Sequence, residues 1–361
     1  MAEDASVRVL VVDDTVLYRK ILSEAVKGVP DATVTATAAS GAIALRKMAH
    51  QPVDAVLLDI FMPDMDGVET LTHIRERFPD VPVIMVSGAT TRDAAITIKA
   101  LELGALDFIP KPKSASPSEA IAELSAVLRP LLRQVQIRLL AHAVRWGEPS
   151  GEPPSEAVGA AHFAPLPSRF RIVLIAVSTG GPNALAQVLP ALPAAFPAPI
   201  LVVQHMPAVF TKSLAEHLGA RTRLAVREAV EGDLVEAGTI LIAQGGKHMI
   251  LRRGQGPVET FRVGMNLSPP VNSCRPSADV LFRSAAATLQ GKILAVVLTG
   301  MGDDGAHGVA AMKRRGCYCI AQTEDTCVVY GMPRAVVEAG LADEVLPLSR
   351  IAGRITSLVM E

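Results

Sequence analysis

Five polar residues in the first third of the chain stand where short apolar runs end. Asp13 and Asp14 follow Val7 to Val12, Asp59 follows Ala55 to Leu58, Ser87 follows Val83 to Val86, and Lys111 follows Leu106 to Ile109. Three carboxylates drawn together repel one another unless a cation sits among them, and hard oxygen donors of this kind suit Mg²⁺. A hydroxyl and an ammonium beside them fit a pocket that accepts a phosphoryl group. Asp13 and Asp14 alone would read as caps of the next helix. Five such positions at successive strand ends point to a pocket instead.

A second group lies further on. Ser178 follows the apolar run Ile172 to Val177 and opens Ser178-Thr179-Gly180-Gly181-Pro182, a strand-to-helix turn whose free amides favour nearby negative charge. A lone turn of this type serves equally as a phosphate-binding loop. It is not the GxSxG elbow, because Ala176 stands two residues before the serine. His205 follows Leu201 to Val203 as a candidate base. Gly300-Met301-Gly302-Asp303-Asp304-Gly305 follows Leu298 and offers two carboxylates, either of which could orient an imidazole or simply stabilise a Gly-rich loop. Among the other histidines, His217 reads as solvated on an amphipathic helix, His307 as a loop neighbour and His248 as a candidate for lining the cleft.

Strands must carry these residues to one edge. Near-continuous apolar runs separated by amphipathic stretches predict parallel sheets covered on both faces by helices. In such a sheet the strand carboxyl ends share an edge, and polar residues there converge. The chain is therefore expected to be α/β throughout: a flavodoxin-like parallel sheet, then a second Rossmann-like, mostly parallel α/β domain. A helix is expected to open at Ser116, with Pro117 in its first position and Glu119 completing a capping box. From Gly147 to Pro167 the rhythm breaks into Pro, Gly, Ser and Glu, the composition of a linker. The expected division is a first domain over 1–130, a helical then Pro-rich connection over 131–168, and a second domain over 169–361.

Composition narrows the class. The 361 residues are 50% apolar and 4% aromatic with a formal net charge of -1, so no basic excess exists to meet nucleic-acid phosphates. No apolar window reaches the roughly 20 residues of a membrane span, and Met1 to Ser6 lacks the basic start of a signal peptide. Cys274, Cys317, Cys319 and Cys327 show no metal-ligand spacing and read as buried thiols of a reducing cytoplasm. A cytoplasmic, monomeric protein is expected.

Two resemblances sharpen these readings. The segments VVDDTVLYRK, LLDIFMPDMDG, MVSG and ALDFIPKP resemble a response-regulator receiver domain. That resemblance implies Asp59 as phospho-acceptor, and a Mg²⁺ site formed by Asp13, Asp14, Asp59 and the main-chain carbonyl of Phe61. It also implies phosphoryl contacts from Ser87 and Lys111, with Phe108 as the switch aromatic. STGG, QHMP, SPPVNSCRPSADVLFRS, LTGMGDDGA and TCVVYGMPRAV resemble the catalytic domain of the chemotaxis protein-glutamate methylesterase family (CheB). By position in those motifs, Ser178 would be the nucleophile, His205 the base, Asp304 the orienting carboxylate, and Thr179 and the Met301 amide adjacent contributors. Ala176-Val177 stands where the family often has Gly-Ala. The resemblance implies hydrolysis of glutamyl methyl esters, and deamidation of certain glutamines, on chemotaxis receptors, with no cofactor at the esterase site. It further implies activation by a chemotaxis histidine kinase, the unphosphorylated receiver packing over the esterase cleft.

Overall fold

A computed structural model describes residues 6–88, 90–112, 116–145, 170–255, 259–289 and 293–360. The linker expected over 147–167 lies outside the described residues. Two compact units divide the chain near Val158.

The first unit alternates strand and helix: β1 (Val7–Val12), α1 (Val16–Lys27), β2 (Ala32–Ala38), α2 (Gly41–His50), β3 (Ala55–Asp59), α3 (Gly67–Arg77), β4 (Val83–Ser87), α4 (Thr91–Glu102), β5 (Asp107–Pro110) and α5 (Pro117–Arg145). The sheet order is β2-β1-β3-β4-β5, every pair parallel. Apolar runs fill its centre, and β3 and β4 are buried along their whole length, as helices on both faces require. The edge strand β2, Ala-Thr-Val-Thr-Ala-Thr-Ala, is half exposed and carries no apolar run that would mark it in the sequence. Helix α5 opens at Pro117 as expected, the Ser116 hydroxyl accepting from the Glu119 amide at 3.3 Å, which is the serine half of the expected capping box. It runs on through Pro130, anchored on the sheet by Leu124, Leu128, Leu131, Leu132 and Val135.

The second unit holds β6 (Ile172–Val177), α6 (Gly181–Val188), β7 (Ile200–Gln204), α7 (Ala208–Arg221), β8 (Ala225–Glu228), β9 (Thr239–Ile242), β10 (His248–Arg253), β11 (Phe261–Asn266), α8 (Ala278–Thr288), β12 (Ile293–Val297), α9 (Ala306–Lys313), β13 (Tyr318–Gln322), α10 (Met332–Glu338), β14 (Glu344–Leu346) and α11 (Leu348–Met360). Seven strands form a wholly parallel sheet in the order β14-β13-β12-β6-β7-β9-β8. Strands β10 and β11 form a separate antiparallel hairpin, which the parallel βα rhythm does not announce. The chain winds outward from β6 through β7 to one edge, then returns to β12 on the other side of β6. That reversal leaves a crevice at the carboxyl ends of β6 and β12.

Candidate active site

At the carboxyl edge of the first sheet, Asp13, Asp14 and Asp59 each offer an oxygen within 4.8 Å of the others. Asp13 and Asp59 are buried and Asp14 is exposed. Lys111, carried past β5, lies 3.0 Å from Asp13 Oδ2 and 2.9 Å from Asp59 Oδ1. Its ammonium also stands 4.5 Å above the Tyr18 ring. Burial pushes the Asp59 carboxyl up to about 6, against the pull of Lys111. Burial alone would lower the Lys111 ammonium, but its bonds to Asp59 and Asp13 outweigh that and leave it raised. Ser87 is buried, its hydroxyl 2.7 Å from that of Thr97 on α4. Phe61 sits two residues past Asp59 with its ring against the Arg92 guanidinium, and Phe108 is half-buried on β5. The helix-cap reading of Asp13 and Asp14 is not met: Thr15 is the N-cap of α1, and at that helix start the two carboxylates accept only its amide and its hydroxyl. An all-oxygen set of three carboxylates at one edge fits a hard divalent cation.

The second site is built at the crevice of the second sheet. Register brings the three strand ends level: the His205 amide bonds the Val177 carbonyl at 3.1 Å and the Ser178 amide bonds the Thr299 carbonyl at 3.0 Å. The turn after Ser178 and the loop that faces it both need glycine. Gly180 has φ of 74°, and a Cβ on Gly300 would lie 2.7 Å from Ser178 Cβ. The Thr299 hydroxyl donates to the Thr179 carbonyl at 2.9 Å and accepts from the Val328 and Val329 amides, tying the serine turn to the loop before α10. Gln204 donates to the Ser178 and His205 carbonyls from a fully buried position.

His205 Nε2 lies 2.7 Å from Asp304 Oδ2. The carboxylate thus meets Nε2, the reverse of the serine-protease arrangement, in which it holds Nδ1. Asp304 is 2% exposed and takes four further donors. The Ser277 hydroxyl and Asn272 amide reach Oδ1 at 2.7 and 3.2 Å, the Ala278 amide reaches Oδ2 at 2.6 Å, and the Asp279 amide reaches Oδ1 at 3.2 Å. The carboxylate thus caps α8. Burial would raise it, but the bonds to His205, Ser277 and Ala278 hold it below the usual carboxylate range. Burial would likewise lower His205, yet its bonds to Asp304 and Cys274 bring it up to about 9.

Of the two candidate carboxylates, Asp304 is the one that meets His205, while Asp303 is exposed. Met301, on the same loop, is also exposed, and Thr179 is half-buried beside Ser178. Four readings from sequence need correction. His307 is not a loop neighbour but stands in the first turn of α9, its Nδ1 3.4 Å from Asp279 Oδ2. His248 does not line a cleft: it is fully buried, one ring nitrogen accepting from the Ser277 amide and the other donating to the Pro269 carbonyl. His217 is half-buried rather than solvated. Cys274 is not merely a buried thiol like Cys317, Cys319 and Cys327, for its sulfur lies 3.5 Å from His205 Nδ1. Sequence reasoning also assigned no role to Asn272, Ser277 or Asp279. Ser277 before an amphipathic run is an N-cap signal, but its hydroxyl turns to Asp304 across the fold.

Residues 173–355 match the CheB methylesterase family and residues 9–122 the response regulator receiver domain. A protein-glutamate methylesterase/protein-glutamine glutaminase of Desulfotalea psychrophila is 41% identical, over 98% of this chain and 99% of its own length. One of the same description from Symbiobacterium thermophilum is 43% identical over 98% of both. The crystal structure of the Thermotoga maritima CheB methylesterase catalytic domain is 44% identical with a TM-score of 0.51, covering 53% of this chain and 99% of that one. By full-length identity and by the family match over its second unit, the chain belongs to the CheB methylesterase family and carries a response regulator receiver domain ahead of it.

Proposed function

We propose that this chain is a phosphorylation-activated enzyme that hydrolyses glutamyl methyl esters, and deamidates particular glutamines, on chemotaxis receptors. Ser178 is the nucleophile, His205 the base and then acid, and Asp304 the carboxylate that orients the imidazole. His205 Nδ1 takes the Ser178 proton as the oxygen attacks the ester carbonyl. The protonated ring then returns that proton to the departing methoxide, which leaves as methanol. Water, deprotonated by the same nitrogen, cleaves the acyl-serine and frees glutamate. Thr179 and the Met301 amide stand beside the developing oxyanion. With glutamine the leaving group is ammonia. No cofactor takes part in these steps.

In the receiver, residues 1–130, Asp59 accepts a phosphoryl group from a chemotaxis histidine kinase, with Ser87 and Lys111 binding its oxygens. Asp13, Asp14, Asp59 and the Phe61 carbonyl would hold Mg²⁺, which neutralises charge on the incoming group. Phosphorylation raises the hydrolytic rate of the catalytic domain, residues 169–361, joined through 131–168. The protein works as a cytoplasmic monomer and meets the membrane only through receptors. Among the described residues no helix is long and apolar enough to cross a membrane.

The observation that carries this reading is the 2.7 Å contact between His205 Nε2 and Asp304 Oδ2 at the edge where the Ser178 turn emerges. The test is methanol release from membranes bearing radiomethylated chemoreceptors, with and without a small phosphodonor and Mg²⁺. Release should rise with phosphodonor and vanish in Ser178→Ala, and Asp59→Ala should lose the stimulation. Release that persists in Ser178→Ala overturns the mechanism.

A further inference from the structure

Asn272 and Ser273 form the centre of a tight turn closed by reciprocal main-chain bonds between Val271 and Cys274, at 3.1 and 2.8 Å. Both have positive φ, 51° and 60°. Two successive left-handed residues are the demand of a type I′ turn, and glycine or asparagine meets it with least strain. The turn does more than reverse the chain. Asn272 is on the surface, yet its Nδ2 lies 3.2 Å from Asp304 Oδ1 and 3.3 Å from Asp279 Oδ2. Those two carboxylates are 2% and 0% exposed. One amide nitrogen carries two hydrogens, and here each faces a different buried carboxylate.

Two residues on, the same turn sets Cys274 Sγ 3.5 Å from His205 Nδ1. A four-residue turn therefore straddles the imidazole–carboxylate pair, touching the carboxylate at one end and the far ring nitrogen at the other. The remaining partners of Asp304 Oδ1, Ser277 and the Asp279 amide, come from the start of α8.

We propose that Asn272 is a positioning residue of the hydrolysis, its amide tying Asp304 to Asp279 so that the Asp304 carboxylate keeps its line to His205. The proposal rests on the reading of Ser178, His205 and Asp304 as the catalytic set. A bland alternative is that Asn272 is there only because the turn needs its backbone. Glycine separates the two, since it adopts positive φ freely and removes only the amide. Aspartate keeps the shape but puts a third acceptor where two carboxylates already stand.

The experiment measures kcat, KM and the pH profile of kcat for methanol release by the full chain, in Asn272→Gly, Asn272→Asp, Ser178→Ala and Asp304→Asn. Asn272→Gly should lower kcat roughly tenfold with KM little changed, the scale of a lost bond to a charged group. Its acid limb should move to higher pH, because a carboxylate that has lost a donor holds the imidazolium proton more firmly. The other charged and titratable neighbours, Asp279, Arg283, His307 and Cys274, are the same in every Asn272 variant. Asn272→Asp should fall further than the glycine variant. A wild-type kcat and pH profile in Asn272→Gly overturns the proposal, as does a change confined to KM. If Ser178→Ala and Asp304→Asn themselves keep full activity, it is the catalytic reading that fails.

Discussion

Asp304 and Asp279 cap each other's helices. The Asp304 carboxylate, just ahead of α9, accepts the Ala278 and Asp279 amides at the start of α8. The Asp279 carboxylate, in the first turn of α8, accepts the Gly305 and Gly308 amides at the start of α9, at 3.0 and 2.6 Å. Each helix thereby satisfies amides that its own residues leave orphaned, and each favours a negative charge at its positive end. Arg283 and His307 approach the outer face of Asp279 at 3.3 and 3.4 Å.

Asp279→Asn keeps an oxygen for the two glycine amides but turns an amide group toward Arg283 and Asn272, both donors. A loss of about 1–3 kcal/mol of stability is expected, the range for a buried polar group left badly paired. Chemical denaturation of the full chain checks it, and an unchanged midpoint would mean that the crossed caps are redundant.

Asp304→Asn turns an amide toward donors that both carboxylate oxygens accept, so it should cost stability on the scale of Asp279→Asn. It should also lower kcat on the order of 10³–10⁴-fold, by losing the acceptor that fixes the imidazole tautomer. Steady-state methanol release measures it. A drop of less than tenfold would remove Asp304 from the mechanism.

Cys274→Ala removes a contact that raises His205. Because the base acts only when Nδ1 is free of a proton, activity in the wild type should climb with pH through the neutral range toward about 9. The alanine variant should reach its plateau at lower pH. An acid limb that stays where it was would show that the thiol does not influence the imidazole.

Asp59 is a strain on the receiver as well as its proposed phospho-acceptor. Its carboxyl titrates near 6 when folded, against roughly 3.9 unfolded, so the folded state binds the proton more tightly. A buried charge therefore weakens the fold above pH 6, and that penalty fades as pH falls from 6 toward 4. Two units correspond to about 3 kcal/mol at most. In metal-free buffer Asp59→Asn should be the more stable protein at pH 7.5, with the gap closing near pH 4.5. Paired urea titrations at the two pH values decide it, and a gap independent of pH would refute the assignment.

Gly300→Ala places a Cβ 2.7 Å from Ser178 Cβ and 2.4 Å from Met332 Sδ. Displacement of the serine should lower kcat about a hundredfold, the scale of an ångström's misplacement. Gly302→Ala meets nothing within 4 Å but sits at φ of 82°. It should act instead on stability, by about 1 kcal/mol. Kinetics and thermal melts of the pair separate steric from backbone effects.

The charged pocket and the serine–histidine pair were legible because each member is the first or second polar residue after an apolar strand, where a parallel sheet must present it. The edge strand β2 alternates small and polar residues, and the β10–β11 hairpin interrupts a parallel rhythm, so neither announced itself. Asn272 and Cys274 lie in a loop without periodicity, and nothing in the letters Asn-Ser-Cys reveals two consecutive positive φ angles. Likewise Asp279 reads as an ordinary first-turn acid of α8, because its partners are 26 and 29 residues away.

The return of the chain to β12 on the far side of β6 also sets a timetable. Ser178 and His205 leave the ribosome early in the second unit, but the strand that flanks β6 on its other side, and the carboxylate that steers the imidazole, come more than a hundred residues after the serine. Until residue 304 has been synthesised the nascent chain, on the proposed reading, holds a nucleophile and a base with no Asp304 to align them. A translation product truncated before that point should hydrolyse no faster than Asp304→Asn, so full hydrolytic power arrives only late in synthesis.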